Sequence, residues 1–198
     1  MRHEVTILVT SPRNRHKIEE SWQDGVQIIQ TPDLFSGSLR SGWDAWNTLR
    51  RIFWLKGKHF DLVHAFESRP TVVYPALYLH QKTGIPLVMD WADWFGKGGS
   101  VEQRPNPVVR MVLRPVETFF EENFRSRANA TTVICSELYR RAERLGIPTG
   151  SIQVIHNGCN TNQAPMLHIQ AARSLVQLPD HLLLIGYVGS IFRADAEL

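Results

Sequence analysis

Short apolar runs alternate with amphipathic stretches along the chain. Runs typical of buried parallel strands, many of them rich in β-branched residues, lie at residues 5–9, 26–29, 61–64, 86–89, 131–135, 152–155 and 182–188. Helical periodicity covers residues 17–23, 41–58, 70–82, 108–127, 136–145 and 164–175, with a break or kink expected at Pro115 and a Ser136 cap on the fifth helix. This alternation predicts an α/β fold: a Rossmann-like parallel sheet with helices on both faces.

The helix predicted over residues 41–58 has two interpretations. Its apolar face holds Trp43, Trp46, Leu49, Ile52 and Phe53, and the opposite face holds Arg40, Asn47, Arg51 and Lys58. One interpretation is a helix whose apolar face packs on the sheet. The other is a surface helix that inserts its tryptophans into a lipid interface, while Arg50, Arg51 and Lys58 contact anionic headgroups.

The stretch PLVMDWADWFGKGG, residues 86–99, changes character where its strand ends. Asp90 and Asp93 alternate there with aromatic residues before a short glycine-rich segment. Ligands of open α/β sheets bind outside the carboxyl ends of the strands, so this stretch predicts a binding crevice. Two acids at a strand end are suited to orienting substrate hydroxyls, and capping the next turn or pairing with arginine is the alternative role.

Composition narrows the class of protein. A hydrophobic fraction of 43% in 198 residues is typical of a soluble globular protein, and a net charge of +3 is too small to indicate a nucleic-acid partner. Cys135 and Cys159 have no paired spacing, so we expect no disulfide framework and a cytoplasmic location. The chain opens without an export signal, and its longest apolar stretch is about half the length of a membrane span.

Five segments, in chain order, resemble the amino-terminal, acceptor-side domain of retaining glycosyltransferases of family 4. They are FDLVHAFESRP (60–70), TGIPLVMDWADWFG (83–96), VETFFEENFRSRANATTVICSELYRRAERLGIP (116–148), VIHNGCN (154–160) and IGYVGSIFRADAEL (185–198). The resemblance implies a GT-B architecture of two Rossmann-like domains. It also implies that the full-length enzyme transfers a hexosyl group from a nucleotide sugar to a saccharide or lipid-linked acceptor, with retention and without a metal or other cofactor.

The resemblance also implies a domain division. Residues 1–178 correspond to the acceptor-binding domain, and residues 179–198 to the first strand and loop of a truncated nucleotide-sugar-binding domain. We therefore expect this polypeptide alone to be inactive. The full-length enzyme would serve polysaccharide or glycolipid biosynthesis, at the inner face of the cell membrane if the helix over residues 41–58 contacts lipid.

Site residues follow from the same resemblance. Asp93 stands at the aspartate of a His-Asp pair found in many members, with Ala92 in place of the histidine, so Asp93 and its neighbour Asp90 are the catalytic candidates. The acceptor-binding candidates are Trp91, Trp94, Lys97, Gly98, Ser136 and, in the loop after the first strand, Arg13. Gly189 resembles the glycine of the donor-phosphate loop, with Arg193 supplying charge nearby.

Two other classes of function compete with this interpretation. One is a non-catalytic α/β module that binds a nucleotide or a protein. The other is a dinucleotide-dependent oxidoreductase, which is disfavoured because no G-x-G-x-x-G follows the first strand.

Overall fold

The computed structural model describes residues 3–13, 15–35, 42–160 and 166–186. The chain divides into two compact units, Met1–Asn157 and Gly158–Leu198. The strands are β1 (Val5–Thr10), β2 (Glu19–Gln23), β3 (Val26–Thr31), β4 (Val63–Phe66), β5 (Leu87–Trp91), β6 (Ala130–Val133) and β7 (Ile152–Val154). The helices are α1 (Ala45–Leu55), α2 (Pro70–Thr83), α3 (Pro107–Asn123), α4 (Ser136–Arg144) and, in the second unit, α5 (Ile169–Leu175).

The strands of the first unit form two sheets. One has the order β1-β3-β2, with β1 parallel to β3 and β2 antiparallel to it. The other has the order β4-β5-β6-β7 and is parallel throughout. Helices connect its successive strands, as expected for βαβ units. The predicted α/β, Rossmann-like class is confirmed.

The helix predicted over residues 17–23 is wrong, because this segment forms β2. Asp24 and Gly25 follow it with φ angles of 51° and 82°, and Gln23 pairs with Val26. An Asp-Gly pair with two positive φ angles is the preferred two-residue turn of a β-hairpin. The turn and the pairing with β3 therefore override a weak helical periodicity.

The helix break predicted at Pro115 is also wrong, because Pro115 lies inside the single helix α3, whereas the alternative of a kink there stays a prediction. The side chain of Asn106 caps the helix and accepts hydrogen bonds from the backbone N–H groups of Val108 and Val109. Pro115 is exposed, so water can reach the carbonyl of Met111 that the proline leaves without a donor.

Two apolar clusters form the core of the first unit. One lies between α2 and the parallel sheet and contains Ala65, Val73, Ala76, Leu77, Leu87, Met89 and Phe124. The other lies between α4 and the sheet and contains Trp91, Val133, Leu138, Ala142, Ile147 and Ile152. β5 contributes to both clusters, with Leu87 and Met89 in the first and Trp91 in the second, so its position is fixed by both.

Helix α1 packs with its polar side inward. Its buried residues are Asn47, Thr48, Arg51 and Leu55. Trp46, Leu49 and Phe53, on the apolar side, are 37%, 48% and 57% exposed. The interpretation in which the apolar face packs on the sheet is therefore wrong.

Hydrogen bonds explain this orientation. The Asn47 amide donates to Thr31 Oγ1 (3.1 Å) and to the carbonyl of Pro32 (2.8 Å). Arg51 donates to Thr31 Oγ1 from Nε (3.1 Å) and to Thr10 Oγ1 from Nη2 (3.0 Å). Burial lowers the pKa of Arg51 to about 10 although the charge of Asp33 opposes the shift. These buried polar groups are paired, so their burial is tolerated.

The second unit contains the short helix α5, within the helix predicted over residues 164–175. Residues 182–186 do not form the predicted strand, and the side chains of Leu183 and Ile185 are 91% and 94% exposed. The remaining residues of that prediction, 187 and 188, lie outside the described residues. The predicted domain boundary after residue 178 stays a prediction.

Candidate functional site

The carboxyl ends of β4, β5 and β6 bring polar side chains together. Strand register places Phe66, Asp90 and Thr132 in one row across the sheet. Thr132 Oγ1 donates a hydrogen bond to Asp90 Oδ1 (2.5 Å), and Arg125 Nη1 donates to the Asp90 carbonyl (2.8 Å). Both the side chain and the backbone of Asp90 are therefore held in place.

Asp93 differs from Asp90 in having an exposed side chain. Within the described residues its carboxylate makes no hydrogen bond or ion pair, so it neither caps a turn nor pairs with an arginine there. Asp93 is the acid at this strand end that is available to a hydroxyl of a bound molecule.

Glu67 is a third acid at the carboxyl ends of these strands, and it is not among the site residues predicted from the sequence. It follows β4 directly and adopts a φ of 85°, which is unusual for a residue with a side chain. Burial raises the pKa of its carboxyl, and the charges of Asp93 and Asp90 raise it further against the opposing charges of Arg69 and Arg125. The signal in the sequence is an acid shortly after a predicted strand, a pattern similar to that of Asp90.

Replacing Glu67 with glutamine is expected to increase the free energy of unfolding at neutral pH. A carboxyl whose pKa is raised by folding contributes favourably below its unfolded-state pKa, and this contribution is lost as the pH rises through the folded-state pKa. Glutamine stays neutral, so the Glu67→Gln variant escapes that loss. Urea unfolding measured from acid to neutral pH should show that the free energy of unfolding of the variant increasingly exceeds that of wild type as the pH rises.

Glu137 supplies a matched control of opposite sign. A hydrogen bond from Arg144 lowers the pKa of the Glu137 carboxyl, so the wild type gains stability as the pH rises through the acid range. The Glu137→Gln variant lacks this gain and should become less stable than wild type. A Glu67→Gln protein that is less stable than wild type at neutral pH would show that the carboxylate of Glu67 is held by a favourable interaction.

Basic groups lie beside these acids. The Arg125 guanidinium is buried 4.3 Å from the centroid of the Trp91 ring. Burial lowers its pKa to about 10, with Glu121 the main opposing charge, so Arg125 stays protonated at neutral pH. The His64 ring stacks on Phe66, and burial lowers its pKa although Asp90 opposes the shift, so His64 is neutral. The carboxyl ends of these strands thus place acidic side chains near the buried guanidinium of Arg125.

The loop after β5 is a compact turn. Trp94 Nε1 donates to the carbonyl of Lys97 (2.9 Å), and the guanidinium of Arg141 lies 4.1 Å from the centroid of the Trp94 ring. Gly98 has a φ of 83°, and a Cβ there would stand 2.9 Å from the Trp94 ring, so glycine is required. This packing leaves Trp94 half-buried and the side chain of Lys97 exposed.

Glu121 anchors this loop from helix α3. Its fully buried carboxylate accepts hydrogen bonds from Trp91 Nε1 (3.0 Å) and from the backbone N–H groups of Phe95 (3.0 Å) and Gly96 (2.8 Å). A Cβ at residue 96 would lie 2.6 Å from Glu121 Oε2, so glycine permits this approach. One turn earlier, Glu117 pairs with Arg69 and Arg104, so α3 holds the site through two buried acids.

The other candidates are placed differently. Trp91 is 1% exposed, and its indole belongs to the core and packs beneath the surface of the site. Ser136 is exposed as the first residue of α4, where Cys135 is the N-cap, so the predicted serine cap is wrong. Arg13 is exposed in the loop after β1. Gly189 and Arg193 lie outside the described residues.

The described part of the chain contains neither a cluster of metal ligands nor a membrane-spanning helix. No group of three or more histidine, cysteine, aspartate and glutamate side chains there is arranged to hold a metal ion. None of the helices there combines the length and hydropathy that crossing a membrane requires.

Comparison with known proteins identifies a family for the chain. The model of the family Glycosyltransferase Family 4 matches residues 1–163, a range that contains every strand of both sheets. No curated protein matches the chain. The matched range also contains the acids at the carboxyl ends of β4 and β5 and the loop that Glu121 anchors. The chain therefore belongs to glycosyltransferase family 4.

Proposed function

We propose that the first unit is the acceptor-binding domain of a GT-B enzyme. The enzyme transfers a hexosyl group from a nucleotide sugar to a saccharide or lipid-linked acceptor, with retention and without a metal. One observation carries the proposal: in a chain of this family, Glu67, Asp90 and Asp93 stand at the carboxyl ends of adjacent parallel strands. This is the edge of an α/β sheet where ligands bind.

The surroundings of each residue support a distinct role. Asp93, exposed and without a partner in the described residues, accepts a hydrogen bond from the acceptor hydroxyl that attacks the sugar. Asp90, held by Thr132 and Arg125, fixes the strand end from which Asp93 projects. Ala92 leaves this position without an imidazole, so the carboxylates carry the polar contacts.

The loop after β5 forms the second side of the acceptor site. Trp94 offers an aromatic surface for a sugar ring, and the exposed ammonium of Lys97 offers charge for an anionic group. Gly98 permits the tight turn in which Trp94 Nε1 donates to the carbonyl of Lys97, and this turn keeps Trp94 close to Lys97. Glu67 raises the local negative charge next to Asp93 and contributes a second acceptor of hydrogen bonds.

A transfer assay tests the proposal. The full-length protein is incubated with nucleotide sugars and with saccharide or lipid-linked acceptors, with and without a chelator. Mass spectrometry detects the product, and NMR gives the configuration of the new bond. Retention that persists in the chelator is the expected result. Nucleotide-sugar binding without transfer to any acceptor class would instead favour a binding module.

We also propose that α1 contacts an anionic membrane surface, so that a lipid-linked acceptor is met at the bilayer. Trp46 and Phe53 are exposed there, and the cations of Arg50 and Lys56 lie 5.5 Å and 4.4 Å from the centroids of these two rings. Lys58 stands in the same way over Trp54 (4.8 Å). Aromatic rings with adjacent cations suit the headgroup region of a bilayer.

Two residues of the predicted contact do not belong to this surface. Arg51 is buried and bonded to Thr10 and Thr31, so its charge cannot reach a headgroup. Trp43 precedes α1 and packs edge-to-face on Phe120 of α3, with ring centroids 5.2 Å apart. Flotation with anionic vesicles tests the membrane contact: the Trp46→Gln/Leu49→Gln/Phe53→Gln variant should bind less than wild type, and a wild-type protein that does not float overturns the proposal.

A further inference from the structure

The guanidinium of Arg141, on α4, lies against two indole rings that belong to another part of the chain. It stands 4.1 Å from the centroid of the Trp94 ring and 5.7 Å from that of Trp91. The Arg141 side chain is 11% exposed, so these contacts are largely shielded from water. Cation–π contacts are strongest when the cation is removed from water. Helix α4 therefore contacts the loop after β5 through this side chain.

An ion pair fixes the position of this guanidinium. Arg141 Nη2 donates a hydrogen bond to Glu122 Oε1 (2.7 Å) and lies 3.8 Å from Glu121 Oε2, both on α3. A guanidinium is a rigid planar group, so a carboxylate that holds one of its nitrogens also restricts where its plane can lie. Glu122 thereby positions Arg141, and Arg141 positions the ring of Trp94.

The loop itself packs along one side of the Trp94 indole. Nε1 donates to the carbonyl of Lys97 (2.9 Å). A Cβ on Gly98 would stand 2.9 Å from Cζ2 of the ring, and a Cβ on Gly99 would contact Cδ1. These three ring atoms all lie on the side of the indole that contains Nε1. The loop thus holds that side of the ring, whereas Arg141 covers one of its two faces.

Stability alone does not account for the placement of Arg141. Its Nε is buried and has no hydrogen-bond partner among the described residues. A buried donor without an acceptor lowers the free energy of unfolding. The backbone of the loop is already fixed by Glu121, which accepts hydrogen bonds from the N–H groups of Phe95 and Gly96. What Arg141 adds to these bonds is the orientation of the Trp94 side chain.

We propose that Arg141 is a positioning residue for the acceptor, which holds the Trp94 ring by one face so that the opposite face stacks on a sugar ring. This role rests on the proposed function and deepens it, because it names the group that presents the aromatic surface to the saccharide. A side chain that is already held in place loses less conformational entropy on binding. Arg141 therefore contributes to the affinity for the acceptor and not to the chemical step.

Steady-state kinetics of the full-length protein test this role with the saccharide that wild type glycosylates. The Arg141→Met variant keeps a long apolar side chain but has no charge for the ring or for Glu122. Its KM for the saccharide is expected to rise about threefold to tenfold, with kcat and nucleotide-sugar affinity as in wild type. Arg141→Lys keeps the charge but not the planar group, so its KM should lie between those of wild type and Arg141→Met.

Two further variants separate positioning from a general structural effect. Arg140→Met is the matched control, because Arg140 is an exposed arginine of the same helix that pairs with Glu137 (3.4 Å), and its KM should equal that of wild type. In a Trp94→Ala background, Arg141→Met should raise KM no further, since two residues that act through one contact are not additive. A rise of equal size in both backgrounds would show that Arg141 acts elsewhere and would overturn the proposal.

Fluorine NMR provides a readout that does not depend on turnover. In protein that contains 5-fluorotryptophan, the Trp94 signal is assigned with the Trp94→Phe variant. Arg141→Met should shift this signal and leave that of Trp22, which is 70% exposed, unchanged. Added saccharide should also shift the Trp94 signal, and half of that shift should need about threefold to tenfold more saccharide in Arg141→Met.

Each contrary outcome has a distinct meaning. If wild type transfers sugar and Arg141→Met has an unchanged KM, the positioning role fails and the glycosyltransferase proposal stands. If wild type forms no product, the proposed function fails, and NMR titration with methyl α-glucopyranoside and methyl α-mannopyranoside decides the role of Arg141; a Trp94 signal that neither sugar moves overturns it. If Arg141→Met does not fold, Glu122→Gln, at a carboxylate that is 30% exposed, releases the guanidinium instead and should raise KM in the same way.

Discussion

Replacing Glu121 with alanine is expected to lower the free energy of unfolding by about 3–5 kcal/mol. The carboxylate is fully buried and accepts from the Trp91 indole and from two backbone N–H groups of the loop, and Arg141 Nη2 lies 3.8 Å away. Its removal leaves these donors buried without an acceptor. Each donor then keeps the free-energy cost of leaving water without the hydrogen bond that offset it. The variant also leaves an arginine without one of its partners.

Urea unfolding of the Glu121→Ala variant measures this loss. The matched control is Glu137→Ala, which removes the same residue type from an exposed pairing with Arg140 and Arg144 on α4. Its effect should be much smaller, because exposed ion pairs contribute little to stability. Equal losses for the two variants would mean that the hydrogen bonds of Glu121 do not hold the loop.

Replacing Asp93 with asparagine is expected to lower the rate of glycosyl transfer by about 10²–10⁴-fold. Asparagine keeps the shape of the side chain but cannot accept the proton of the attacking hydroxyl. The stability should be unchanged, because the side chain is exposed and makes no hydrogen bond or ion pair in the described residues. The measurements are kcat with a saturating acceptor and nucleotide-sugar affinity by calorimetry, and the affinity should persist.

Asp61→Asn is the matched control for this experiment. Asp61 is also exposed, but it precedes β4 and therefore lies at the amino-terminal ends of the parallel strands, whereas Asp93 lies at their carboxyl ends. Its replacement should leave kcat as in wild type. Unchanged transfer in the Asp93→Asn protein would remove Asp93 from the site and leave Asp90 and Glu67 as the acids to test.

The general architecture was predictable because it rests on local patterns. Runs rich in apolar and β-branched residues predict β4, β5 and β6, and the helical periodicity between them predicts parallel connections. Parallel strands end at a common edge, so the acids after β5 were predictable as a site. β2 was missed because periodicity was preferred over the Asp24-Gly25 turn, although the turn chemistry is also readable in the sequence.

The orientation of the helices was decided by the tertiary structure. The sequence alone determined that α1 and α3 each have an apolar and a polar side, because side-chain chemistry at a spacing of 3.6 residues fixes two faces. Which side is buried depends on partners distant in the chain: Thr10 and Thr31 for Arg51, and the backbone of the loop after β5 for Glu121. The raised pKa of Glu67 likewise comes from burial and from the charge of Asp93 on another strand end. Such contacts join residues that are remote along the chain, so they exist only once the sheet has assembled.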